Sequence, residues 1–405
     1  MLDTLTGDGI ADWHWDCPDS EIEVAASAPI EHAEPAPLAA LAAWAAHQRA
    51  NGKIIRVADS VRSPYAWRFG ILSALTGAPA SSQAATRFLP PTQIESDVTL
   101  SDVLEHTVGT LGLTALGVRV GTIKAMSEAI RNVFEHSASP HGAFVCASYF
   151  PARDRVSFAV ADTGVGVPST IRRRYGLSLT DAQANETAIQ LKTSAGSPAD
   201  NAGIGLFFLR TMSARSSGLF ALVSGSAFVK GASDYSAPQV SSSPVRWNGT
   251  VVSVTLSASR ADDTMNAVRL ILERGLSADR KQQLVTFGDP PPGVEVVRIE
   301  PTAAGIIEDK TQARLAREQV LLPAVATGRP VAVDLSAGQA VTHSFVHALL
   351  FAVIKQAGER SRQLVFVRAA TGQVRDTVRL VAWDAANSDQ DAATLDSSSR
   401  LIDRH

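Results

Sequence analysis

The sequence predicts an α/β protein in several parts, and three observations predict it. Apolar residues at helical period (Ile123, Met126, Ala129, Ile130, Val133, Phe134) are followed by short β-rich runs at residues 156–161 and 250–256. Beyond Val294, strand patterns alternate with helix patterns, as in an open α/β sheet. Between the two stretches, Gly288-Asp-Pro-Pro-Pro-Gly293 is a clear break. A chain of 405 residues has room for two or three domains.

Composition narrows the class. Hydrophobic residues make up 45% and aromatics 6%, ordinary for a soluble globular protein. The net charge of −3 argues against a general nucleic-acid surface. Cys17 and Cys146 give neither a disulfide framework nor a metal-ligand cluster, so a reducing cytoplasm is expected. The first residues lack the basic flank and apolar stretch of a signal peptide, and apolar runs such as 348–354 are too short to span a bilayer.

The elements follow in order. Residues 1–35, rich in Asp, Glu, Ala and Pro, read as an irregular lead-in. Residues 38–50 form an Ala-rich helix, 53–58 a strand, and Ser63-Pro-Tyr opens a helix reaching Gly77. Residues 78–97 read as a Pro-containing loop, and 1–97 together as a small α/β domain. Trp13, Trp15, Trp44 and Trp67 are expected in packing roles. His106 reads as a plain helix residue, because no His-Glu/Asp-x-x-x-Pro pattern surrounds it.

Glu128 and Asn132 share one face of the next helix, with Glu135 one turn further on. A side-chain amide beside a carboxylate suits Mg²⁺, and the carboxylate can act on an attacking water or hydroxyl. Solvated polar residues on an amphipathic helix are the alternative. Asp162-Thr-Gly164-Val-Gly166 ends the strand at 156–161. Such a carboxylate can accept from an adenine amino group while bare backbone approaches the base; a simple Gly-rich turn is the other reading. Asn201-Ala-Gly203-Ile-Gly205-Leu206 opens a helix, where free amides favour a phosphate. Neither the Gly-x-Gly-x-x-Gly spacing nor a Gly-Lys-Ser/Thr phosphate loop is present.

With Gly249-Thr250, these boxes resemble those of the GHKL ATPase superfamily (gyrase, Hsp90, histidine kinases and MutL) across residues 98–258. The resemblance implies a Bergerat-type α/β sandwich at 98–260 that binds ATP with Mg²⁺. It implies that Glu128 is catalytic and that Asn132 is the metal ligand. Asp162, Gly164 and Gly166 would bind the base, and Asn201, Gly203, Gly205 and Leu206 the phosphates. Residues 163–200 would then be a mobile lid, in which Thr193 and Ser194 either meet a phosphate or form a simple turn. Arg172, Arg173 and Arg174 form a solvated face or contact an anion.

Residues 261–293 read as a linker with a helix at 263–276, and 232–244 as an exposed hairpin loop. Residues 294–385 form the C-terminal α/β domain, with strands at 294–299, 329–335 and 363–367, helices at 310–322, 342–356 and 371–381, and a flexible tail at 386–405. The stretch around Asp334 and Ser344 resembles STAS domains, in which a serine at this helix start accepts phosphate in bacterial partner switches. Ser344 lacks the full Asp-Ser-Ser-Gly context, so an N-cap or first-turn role is expected. His343 and His347 are spaced i, i+4 without the Glu that a zinc protease needs.

The expectation is thus a cytoplasmic, bacterial regulatory ATPase whose nucleotide state acts on a protein partner. A serine/threonine kinase of the anti-sigma type and a non-hydrolysing ATP switch are the alternatives. Neither a membrane nor a general nucleic-acid partner is expected, and a homodimer is compatible with the sequence.

Overall fold

The structure, a computed structural model, describes residues 20–25, 34–78, 86–96, 99–175, 178–190, 205–231, 238–261, 264, 284–302 and 305–386. They fall into two compact units, one holding the described residues up to 264 and the other those from 284 onward. Both units mix helices and strands, in agreement with the predicted α/β class.

In chain order, the first unit contains β1 (Glu21–Val24), α1 (Pro35–Ala50), β2 (Ile54–Val57), α2 (Pro64–Arg68), α3 (Ile71–Thr76), β3 (Phe88–Ile94), α4 (Leu100–Leu111) and α5 (Leu116–Asn132). It continues with β4 (Ala143–Phe150), β5 (Arg155–Asp162), α6 (Gly166–Tyr175), α7 (Asp181–Ala188), α8 (Gly205–Arg215), β6 (Phe220–Gly231) and β7 (Gln239–Ser257). Five strands form an antiparallel sheet in the order β3-β4-β5-β7-β6.

Strand alternation gives this sheet two buried faces. Val156, Phe158 and Val160 of β5 lie on the face on which α5 packs, while Ala159 and Ala161 face a core shared with α1. Every residue of α1 from Leu38 to Ala45 is buried, and a helix apolar on all sides needs cover on all sides. That helix packs on β4, β5 and β7, and Phe144, Cys146 and Val251 belong to the same core.

Three expectations are corrected here. The described residues of 1–97 do not make a separate domain, because α1 covers the back of the sheet and β3 is one of its strands. The Pro-containing loop expected at 78–97 holds β3, an edge strand whose pairing with β4 shifts between Leu89 and Thr92, around Pro90 and Pro91. Proline is tolerated at such an edge bulge and hides the strand signal. The lead-in holds β1, which pairs in parallel with β2.

Smaller differences have local causes. The helix expected from Ser63 to Gly77 divides at Gly70, whose φ of +69° suits a helix stop. Ser63 caps the first piece by accepting from the Ala66 amide at 3.0 Å. Trp44 is buried but Trp67 is 56% exposed, so only the former has the expected packing role; Trp13 and Trp15 lie outside the described residues. His106 lies in α4. Part of the hairpin loop expected at 232–244 is strand, since β7 begins at Gln239 opposite Lys230.

The second unit is built on a four-stranded parallel sheet in the order β8-β13-β11-β9. Its strands are β8 (Thr286–Phe287), β9 (Glu295–Arg298), β11 (Val331–Leu335) and β13 (Val365–Ala369); β10 (Ile306–Ile307) and β12 (Ala340–Val341) pair separately. Because β8 belongs to this sheet, the C-terminal body begins inside the segment expected to be linker. Helix Lys310–Ala316 runs through a π-turn (Arg317–Leu321) into Leu322–Ala326; His343–Ala357 and residues 372–386 are the other long helices. Most of the helix expected at 263–276, and the tail beyond 386, lie outside the described residues.

Thr342, rather than Ser344, caps the helix His343–Ala357 by accepting from the Phe345 amide at 3.2 Å. Ser344 occupies the first turn and is 8% exposed. His343 and His347 stack, and among the described residues no group of His, Cys, Asp or Glu is placed to hold a metal. No described helix is long and apolar enough to cross a membrane.

Candidate functional site

The site begins where α5 meets the first turn of α8. A Cβ added at Gly205 would lie 3.3 Å from Glu128 Oε2, 3.4 Å from Asn132 Oδ1 and 3.5 Å from Asn132 Nδ2. The helix opened by the second glycine box therefore starts directly over the carboxylate and amide of α5. Glu128 and Asn132 are half-buried, and Asn132 Nδ2 has no hydrogen-bond partner among the described residues. Leu206 turns aside and packs against Ile171, Ala184 and Ala188, the small core beneath α6 and α7.

The α-helix ends at Asn132 and continues as a π-turn, Val133–Ser137. Its wider winding breaks the helical face on which Glu135 was expected to follow Glu128 and Asn132. The turn also carries Ser137 to the first glycine box. The Ser137 carbonyl accepts from the Val165 amide at 2.7 Å and fills the space where a Gly164 side chain would begin, 2.0 Å from an added Cβ.

Asp162 ends β5, opposite Thr250 of β7, and is 1% exposed. Its Oδ1 accepts from the Gly164 amide at 2.8 Å. Burial pushes its carboxyl up to about 7, although hydrogen bonds from Gly164, the Ser137 hydroxyl and the Thr250 backbone pull the other way. Gly166 has a φ of +75°, and an added Cβ would lie 2.8 Å from Ser224 Oγ and 2.9 Å from the Gly249 carbonyl. Trp247 Nε1 donates to the Asp162 carbonyl at 3.2 Å, fixing the strand end from the other face.

The structure brings Glu128, Asn132 and Gly205 together, and joins Asp162 and Gly164 to the same helix through Ser137, while Gly166 lies against Ser224 and Gly249. Thr193, Ser194, Asn201 and Gly203 lie outside the described residues. Of the arginine run, Arg172 is an internal tie: Nε donates to the Leu179 carbonyl at 2.7 Å, and a terminal nitrogen pairs with Asp181. Arg173 and Arg174 are exposed.

Sequence reasoning missed Lys124, Ser137 and Ser224, and took Thr250 only as part of a closing strand. Lys124 lies one turn before Glu128 on α5 and is 6% exposed. Burial lowers its ammonium to about 8, against the opposing pull of Glu128. The i, i+4 spacing of Lys124 and Glu128 was the available signal. Ser137 and Ser224 gave none, since their roles come from contacts between distant elements. No family model matches the chain, and no curated protein matches it.

Proposed function

We propose that this protein is an ATP- and Mg²⁺-binding regulator of the GHKL type, with a Bergerat-type nucleotide domain and a STAS-like C-terminal unit. In this reading it is a slow ATPase whose nucleotide state controls a protein partner. The observation that supports it best is the approach of Gly205 to Glu128 and Asn132, since a helix start facing a carboxylate and an amide suits a phosphate chain.

The residues fit the ligand. Asp162 offers a buried acceptor beside glycines that leave the strand end bare. Asn132 has an unspent amide donor, and its Oδ1 would hold the metal. Mg²⁺ supplies charge neutralisation on the phosphates when bound. Ionised Asp162 accepts from the adenine amino group. Glu128 orients a water and draws its proton as the water oxygen bonds to the terminal phosphorus; the phosphorus–oxygen bond to ADP breaks, releasing ADP and inorganic phosphate.

Calorimetry with ATP and Mg²⁺ tests the reading. The parent should bind, and a folded Asp162→Ala variant should lose about ten- to a hundredfold in affinity, the usual cost of a hydrogen bond to a charged acceptor. Equal binding by the two would overturn it. Phosphate release without a phosphorylated protein distinguishes the ATPase from a kinase.

A further inference from the structure

The carboxyl edge of the parallel sheet in the C-terminal unit carries a second, separate feature. A groove of about 480 Å³ opens there, bounded by Phe287 at the end of β8, by Asp334 near the end of β11 and Ser336 just after it, and by Arg368 of β13. Arg375, on the helix at residues 372–386, closes another side. In open α/β sheets this edge is where ligands settle, and the volume suits a small molecule.

The charges are unequally committed. Asp334 is an inner support: its Oδ1 accepts from the Ser336 amide at 3.0 Å and hydroxyl at 2.5 Å, and its Oδ2 lies 3.4 Å from Arg368 Nη1. Burial would raise its carboxyl, but the Ser336 bonds and the guanidinium outweigh this and hold it below the usual range. Asp289, on the turn after β8, is a looser partner. Its Oδ1 sits 2.7 Å from Arg368 Nε, yet its side chain is 85% exposed and Nε lacks an aligned hydrogen bond. Arg375 is exposed and makes a long 3.4 Å bond to the Ala369 carbonyl.

We infer that this groove binds a small oxyanion, a phosphate or carboxylate group, between Arg368 and Arg375. The Asp289 carboxylate is an internal stand-in that the ligand displaces. A guanidinium fork can donate two parallel hydrogen bonds to neighbouring oxygens of a carboxylate or a phosphate, and Asp334 aims one of the two forks. With Asp289 swung out, two positive charges face the one negative charge of Asp334, so the seat attracts an anion.

The test is titration of the full chain with inorganic phosphate and with acetate against chloride at matched ionic strength, read by calorimetry. Asp289→Asn removes the competing carboxylate and should tighten binding about tenfold; Arg375→Gln should weaken it about tenfold, the scale of one charge-assisted contact. Binding of both anions supports a general oxyanion seat, and binding of phosphate alone supports a phosphate seat. Binding that is indifferent to Asp289→Asn and Arg375→Gln belongs elsewhere in the chain, including the proposed nucleotide site, and overturns the inference. Failure of both anions to bind even the folded Asp289→Asn variant overturns it too. The proposed ATP function is unaffected by either result.

Discussion

Lys124 stands one helical turn before Glu128, sealed from solvent, and the two charges act on each other across that turn. A buried ammonium is costly unless an opposite charge offsets its lost hydration, and here the charge that opposes that cost is the proposed catalytic carboxylate. Lys124→Met should lower ATP turnover about tenfold or more while leaving nucleotide affinity within about threefold, since the lost charge acts on the catalytic group. Turnover should also fall as pH rises through about 8, where Lys124 loses its proton, and Lys124→Arg should remove that limb. A pH–rate profile of the three proteins checks both.

Asp162 sets binding against stability. Its carboxyl titrates at about 7 in the fold against an ordinary 3.8, so the folded state holds the proton more tightly. The stability it contributes is complete below 3.8 and is lost as pH rises through about 7. Asp162→Asn should therefore raise the melting temperature of the nucleotide-free protein at pH 8. ATP affinity of the parent should increase from pH 6 to pH 8, because the ionised form is the stronger acceptor for the adenine amino group. Melting curves and calorimetry at the two pH values give the comparison.

Asn132→Ala should weaken ATP binding in Mg²⁺ and leave the weaker metal-free binding nearly unchanged. Glu128→Ala should bind ATP and fail to hydrolyse it. If Glu128→Ala retains the parental rate of phosphate release, another carboxylate is the base and Glu135 is the next candidate.

The contact between Gly164 and the Ser137 carbonyl has no slack. Gly164→Ala forces a methyl group into backbone 2.0 Å away, which must move the π-turn or the strand end. A destabilisation of about 1–3 kcal/mol or more is expected, as for other overpacked positions. Denaturant titration measures it, and a parental midpoint would show that the two elements are not joined as described.

In the C-terminal unit, His347 is 1% exposed, stacked on Phe351, and 3.8 Å from Asp384. Burial, then His343, Lys310 and Arg317, hold its imidazole well below 6.5. Its stabilising contribution is complete above 6.5 and is lost as pH falls toward the lower folded value. His347→Leu should flatten the acid limb of the unfolding curve, followed by circular dichroism between pH 7 and 4.

Much of this arrangement was legible because each part is local. Spacing alone put Glu128 and Asn132 on one helix face, and the β-rich run ending at Asp162 marked a strand end. The π-turn was hidden, since Val133 and Phe134 extend the helical pattern through it. β3 was hidden by Pro90 and Pro91, which read as loop unless the strand is known to be an edge. The failure over residues 1–97 was avoidable: α1 has no polar face between Leu38 and Ala45, and so could not have been the surface helix of a small domain. The association of Gly205 with Asn132 follows from the fold of distant segments and had only motif order to announce it.

Pro90 and Pro91 have a further consequence. Proline carries no amide hydrogen, so Pro90 and Pro91 leave two consecutive positions of the strand at the sheet's margin without a ladder donor. A strand from another molecule reaching that margin finds the ladder interrupted, and sheet-to-sheet fusion along β3 is penalised. If two copies of this chain associate, the join should therefore avoid that border.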